Sequence, residues 1–255
     1  MKEIMKEKII EFIYPEGSKE LFKDNFPIPA KLNIPDWYKK LESSWHKKTI
    51  KSCMPFLDSL SAGYILKLDQ DFYIKHNFIN EENNKKDSSF RVSYHGMHDL
   101  FSIKGMNLNS GHPEIHPPEQ LGEKCPFNKK NKGLSYYKIL NPYTIKTPPG
   151  YSCLFVPLLN NNDDRFEIIS GIVDTDTFEI PINFPIIING DKYPTLETVI
   201  KRGTPYVQVI PFKRDKWKMK TTEGLKSKDF IKHLKITKFL WNNYKNLFWN
   251  KKKWS

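Results

Sequence analysis

Nothing in this chain of 255 residues approaches the unbroken apolar run of about 20 residues that a membrane-spanning helix needs. Cysteine is scarce. Cys53, Cys125 and Cys153 are an odd number and none has CxxC spacing, which argues against a disulfide framework and for a reducing compartment. The opening run Met1-Lys2-Glu3-Ile4-Met5-Lys6-Glu7-Lys8 alternates charge and carries no apolar stretch, so no secretory signal is expected and the cytoplasm is the expected location. The GxSxG, Walker A, GxGxxG and protein-kinase motifs are missing too, and with them the usual sequence signs of an exposed serine nucleophile or a backbone phosphate cradle.

What the chain does have is aromatic bulk and an uneven charge. Seventeen Phe, twelve Tyr and six Trp supply large apolar areas for a core despite a hydrophobic content of 38%. The net charge is +12, but residues 213–255 hold fourteen Lys/Arg against three acids, so +11 lies in the tail and the first 212 residues are close to neutral. Two parts are therefore expected: a body over 1–212 and a basic, aromatic tail over 213–255.

The body reads as mainly β. Strand-like runs fall at residues 8–14, 49–56, 63–68, 72–78, 143–146, 151–156, 166–169, 178–188 and 206–212, cut by Pro and Gly. Many short strands of this kind predict a distorted sandwich or barrel rather than alternating βαβ units. Pro35 and Asp36 suit the first turn of a short N-terminal helix through about Leu41. Residues 80–88 read as a surface loop. Residues 93–132 lose all periodicity and read as an irregular His/Pro-rich insertion. In the tail, Phe230, Leu234, Trp241, Tyr244 and Phe248 recur at helical spacing with Ile231, Leu240 and Leu247 beside them, which predicts an amphipathic helix from about Asp229. Its apolar stripe is expected to pack on the body or a neighbouring subunit, and its lysines offer a surface to an anionic partner, nucleic acid or membrane.

The insertion is the one place where metal ligands gather. His95, His98, His112 and His116 lie near Asp99, Glu114, Glu119 and Cys125, and imidazole with carboxylate is a common first-row metal set. His95 and His98, or His112 and His116, could each set two nitrogens on one side of a turn or helix, though Pro113, Pro117 and Pro118 argue against a helix at the second pair; the spacing is neither HExxH nor a zinc finger. If Zn or Fe binds, His112 and His116 are the first choices, with His95 or Glu119 third. The alternative is histidines that hydrogen-bond to backbone or solvent.

Four further segments carry a family resemblance: Ser61-Ala62-Gly63-Tyr64, Pro149-Gly150-Tyr151 leading to Val156-Pro157, Gly171-Ile172-Val173-Asp174-Thr175-Asp176, and Gly203-Thr204-Pro205-Tyr206-Val207-Gln208. In this order they resemble the motifs of dUTPases and dCTP deaminases, over about residues 53–212. The likeness implies a β-clip fold, a homo-oligomer with a trimer favoured, and a small anionic or nucleotide-like ligand held by Tyr64, Gly150, Tyr151, Asp176 and Gln208. It also places Asp174 where a carboxylate would orient and deprotonate an attacking water. The whole chain is also similar to an uncharacterised family found in bacteriophages and some bacteria. That likeness rests on Cys53-Met54-Pro55-Phe56-Leu57-Asp58, Thr147-Pro148-Pro149-Gly150-Tyr151-Ser152, Val173-Asp174-Thr175-Asp176, and Gly203-Thr204-Pro205 through Val209-Ile210-Pro211-Phe212. A phage-encoded chain would act in host cytoplasm or virion.

The departures from the hydrolase pattern bear on activity. Ile65 stands where an Asp follows the AGY segment, and Leu158-Leu159-Asn160 replaces the serine and arginine that grip phosphates. Thr177 precedes Phe178 where an aromatic is expected, and a Lys/Trp-rich tail replaces a Gly-rich one. A lone carboxylate without a clamp for metal and triphosphate lacks the charge stabilisation that lowers the barrier. The expectation is a degenerate, non-enzymatic dUTPase-like core. The alternatives are an assembly protein acting through its tail and a metal-dependent enzyme.

Overall fold

The computed structural model describes residues 7–78, 87–92, 115–160, 163–224, 228–231, 234 and 242–255. Its strands in chain order are β1 (Glu11–Ile13), β2 (Ile28–Pro29), β3 (Tyr64–Lys67), β4 (Phe72–Asn77), β5 (Asp87–Val92), β6 (Ile115–His116) and β7 (Tyr136–Ile139). They continue with β8 (Thr144–Lys146), β9 (Tyr151–Val156), β10 (Phe166–Ile168), β11 (Gly171–Val173), β12 (Phe184–Ile188), β13 (Thr195–Ile200) and β14 (Pro205–Lys213). Short helices α1 (Lys19–Phe22), α2 (Asp36–Lys40), α3 (Met54–Ser61) and α4 (Pro126–Lys130) lie between them.

The fold is mainly β. Four sheets form among the described residues, ordered β11-β9-β14-β3-β2, β10-β12-β7-β6, β13-β4-β5 and β1-β8, and none closes into a barrel. Residues from all four meet in one core, among them Leu66, Ile74, Ile145, Phe155, Phe184 and Val209. β4 shows why its sequence folds this way: Phe72, Ile74 and His76 face inward, while Tyr73 and Lys75 face out and share Glu197 of β13. The longest strand, β14, lies between β9 and β3 with Tyr206, Val207, Gln208 and Val209 all buried, the continuous burial expected at a sheet centre.

Several expectations change. Residues 49–56, read as a strand, form a 3₁₀ turn and the start of α3, because Pro55 sits in the first helical turn and Phe56 stacks on Tyr38 with ring centroids 5.6 Å apart. Strands β2, β5, β6, β7, β11 and β13 lie outside the expected runs. Of the run 178–188, only Phe184–Ile188 is a strand. The insertion holds β6, a 3₁₀ turn and α4, and residues 93–114 lie outside the described residues.

The tail is helical where the helix is expected to begin, and residues 232, 233 and 235–241 lie outside the described residues. Residues 228–231 are helical and Tyr244–Phe248 form one π-helical turn. Phe230, Ile231, Leu247 and Phe248 of the expected stripe are exposed rather than packed on the body; Trp241 lies outside the described residues. The chain's last residues dock instead. Trp249 Nε1 donates to both carboxylate oxygens of Asp58 on α3 at 3.1 and 3.0 Å, Lys252 pairs with the same carboxylate at 2.6 Å, and the Trp254 ring meets Tyr64 edge-on.

Candidate functional site

The resemblance directs attention to β14 and its two neighbours. Val173 of β11 pairs with Cys153 of β9, and Phe212 of β14 pairs with Ser152, so Asp174 leaves the sheet beside Ser152 near the end of β14. Ser152 Oγ donates to Asp174 Oδ1 at 2.6 Å. Pro148-Pro149-Gly150 forms the adjacent turn, with Gly150 at φ +82°, and the Gly150 N–H donates to Asp176 Oδ2 at 2.8 Å.

Arg214, the first residue beyond β14, closes the cluster. Its backbone N–H donates to Gly150 O at 2.8 Å. Its guanidinium grips Asp176 with both terminal nitrogens, donates to Tyr151 O and Ser152 Oγ at 3.0 Å each, and lies 3.2 Å from Asp174 Oδ1. The fork matches a carboxylate bidentately. Asp176 is 6% exposed, Asp174 61%. The Arg214 hydrogen bonds, then the Gly150 N–H, hold the Asp176 carboxyl down at about 2, and Asp176 in turn raises Arg214. Behind the cluster, Thr175 hydrogen-bonds Thr147 and Cys153, whose thiol burial pushes up to about 11. That thiol is protonated at neutral pH and no nucleophile.

This arrangement makes a latch that ties the end of β14 to the Gly150 turn and to Asp176. The cation that could neutralise a phosphate is already neutralised by two carboxylates. Replacing Arg214 with Met is expected to move Asp176 up towards the ordinary carboxylate range of about 4. A depressed carboxyl contributes stability that is present above its unfolded value and lost as pH falls towards about 2, so the variant should be less stable than the parent above about pH 4, by a margin that shrinks as pH falls towards about 2. NMR titration of the Asp176 carboxyl carbon, alongside acid unfolding, measures both.

Tyr64 and Gln208 lie elsewhere. Tyr64 pairs with Val209, about three residues or roughly 10 Å along β14 from Phe212, and two strands across from Ser152. Its hydroxyl donates to Ser255 O at 3.2 Å, and its ring is covered by Phe12 and Trp254. Gln208 is buried and uses its amide on backbone: Nε2 donates to Ser59 O and Ala62 O at 2.9 and 2.7 Å, and Oε1 accepts from the Leu159 N–H at 3.1 Å. Gly203 is farther still, some nine residues or roughly 30 Å along the strand from Phe212. The motif segments share one sheet but no single cleft: Gly150, Tyr151, Asp174 and Asp176 come together, and Tyr64 and Gln208 do not join them.

Of the metal candidates, His95 and His112 lie outside the described residues. His116 Nδ1 is paired with Gln120 Oε1, and Glu119 is exposed on the neighbouring 3₁₀ turn. No group of three or more His, Cys, Asp or Glu among the described residues is placed to hold an ion. A pocket of about 140 Å³ lies elsewhere, between Lys130, Pro157, Asp163, Glu167 and Tyr206. It is smaller than the roughly 300 Å³ at which ligand pockets begin. Its charges are already paired, Lys130 with Glu167 and Asp163 with Arg165.

The residues that sequence reading missed are Ser152, Arg214, Trp217 and Met219. Arg214 stands out in the sequence only as one of the tail's charges. Trp217 and Met219 carried a visible signal, the alternation Lys216-Trp217-Lys218-Met219-Lys220. Both are now the most exposed large apolar side chains described, at 90% and 91%. Comparison with protein-family models, curated proteins and solved structures finds no match.

Proposed function

We propose that this chain is a non-enzymatic binding protein, a β scaffold that holds both ends of its cationic C-terminal segment and presents it to an anionic partner. The observation that carries the reading is the exposure of Trp217 and Met219 among Lys216, Lys218 and Lys220, immediately after a residue clamped to the sheet. Two large apolar side chains set between lysines and left in solvent offer a contact surface to a partner. Lys213 is paired with Asp215 and Arg214 with Asp176, whereas Lys216, Lys218 and Lys220 face no carboxylate among the described residues. The far end of the segment is tied down by Trp249, Lys252 and Trp254.

Against a nucleotide-like ligand on the body weigh the separation of Tyr64 and Gln208 from the aspartate cluster, and the engagement of Arg214 by two carboxylates. Charge reversal tests the proposal. A chain carrying K216E, K218E and K220E should bind polyphosphate at least tenfold more weakly than the parent at low salt, because three attractive contacts become repulsive. Equal binding by parent and variant overturns the reading.

A further inference from the structure

We infer that the partner of the 214–224 segment is a single-stranded nucleic acid, read without base sequence by Trp217 stacking and lysine–phosphate contacts; this rests on the anion-binding function proposed above. β14 ends at Lys213, and residues 214–224 follow as an exposed segment with no helix. Where such a chain stays extended, successive side chains point to opposite sides and alternate ones are about 7 Å apart. Lys216, Lys218 and Lys220 then line one edge, with Trp217 and Met219 on the other. A single nucleic-acid strand has the same division, charges along one edge and aromatic faces along the other. The lysine period is also on the scale of its phosphate repeat.

Other anionic partners fit less well. In a duplex the base faces are stacked on one another and an indole on a short exposed segment has nothing to lie against. A bilayer that took up Trp217 and Met219 would draw all three lysines away from the headgroups they need, and Thr221, Thr222 and Glu223 follow with no further apolar anchor. Stacking on an exposed indole accepts any base, so no recognition helix is required.

The test uses the full chain and a labelled oligothymidylate followed by fluorescence anisotropy, with polyphosphate, duplex DNA and phosphatidylserine vesicles as competitors. W217A, altered at a side chain that is 90% exposed, should weaken oligonucleotide binding roughly tenfold or more and polyphosphate binding far less, and W217F should recover part of the loss. K218A should weaken both and lower the slope of log K against log salt by about 0.7. If W217A binds the oligonucleotide as tightly as the parent, or if duplex or vesicles displace it better than single strands do, the inference fails while anion binding stands. If neither polyphosphate nor oligonucleotide binds, the underlying function fails with it.

Discussion

Gly63→Ala is expected to unfold the protein or leave it destabilised by about 3 kcal/mol or more. Gly63 adopts φ +68°, where a side chain alone costs about 1 kcal/mol. The larger cost is steric. A Cβ here would stand 2.0 Å from Val209 O and 2.9 Å from Val209 C, and the next strand residue, Tyr64, pairs with Val209 itself. The obstruction is backbone, so no rotamer change relieves it; β3 and β14 would have to separate at the centre of the largest sheet. Set against a total stability of about 5–15 kcal/mol, that loss is a large fraction. Gly150→Ala is the control. Its φ is +82°, but nothing lies within 4 Å of the added carbon, so about 1 kcal/mol should be lost. Chemical denaturation of the two variants side by side separates close approach from backbone conformation. Equal midpoints would mean that the strands do not meet at Gly63.

Asp69→Asn is expected to stabilise the protein at neutral pH. Asp69 follows β3, and its Oδ2 is buried with no hydrogen-bond partner. Burial raises its carboxyl from 3.8 to about 6, with its own backbone N–H and the charge of Arg202 opposing the rise. The folded protein therefore holds this proton more tightly than the unfolded chain. The favourable contribution is complete below about pH 4 and is lost as pH rises through about 6. At pH 7 to 8 the ionised carboxylate costs up to about 3 kcal/mol, the equivalent of that shift, and its charge adds to the burial that raises the Tyr143 and Tyr206 hydroxyls. Asparagine keeps the shape without the charge. The variant should gain about 1–3 kcal/mol at pH 8 and almost nothing at pH 4, where the parent carboxyl is already neutral. Urea unfolding at the two pH values measures the difference. A gain that does not change with pH would show that Asp69 is not the group being titrated.

Where local physics decided the structure, the sequence made it legible. Pro148-Pro149-Gly150 followed by Tyr151 and β-rich residues announces a turn and a strand, and β9 spans Tyr151–Val156 as expected. Pro35 and Asp36 likewise mark the start of α2. What escaped depends on distant partners. The run from Cys53 to Leu57 is apolar enough for a strand, and it becomes a helix against Tyr38, Trp37 and the Asp58 contacts of the chain's last residues. Gln208 looks like a polar group waiting for a ligand until the turn at Ala62 and the loop at Leu159 fold onto it. Asp174 reads in the sequence as a candidate base and Asp176 as a ligand contact, and nothing local shows that Arg214, 38 residues beyond Asp176, pairs with both. The amphipathic stripe of the tail was visible, but no periodicity says which surface covers it. The Lys-Trp-Lys-Met-Lys run is equally visible, but its exposure follows only from the end of β14 at Lys213.

The central claim, that the tail rather than the aspartate cluster is the binding surface, is tested most directly by amide hydrogen exchange with and without saturating oligothymidylate. The account predicts slowed exchange across residues 215–224, with the amides of Gly150, Tyr151 and Asp174 unchanged. Protection centred on Gly150, Tyr151 and Asp174, with 215–224 exchanging as before, would contradict it and return the binding site to the body.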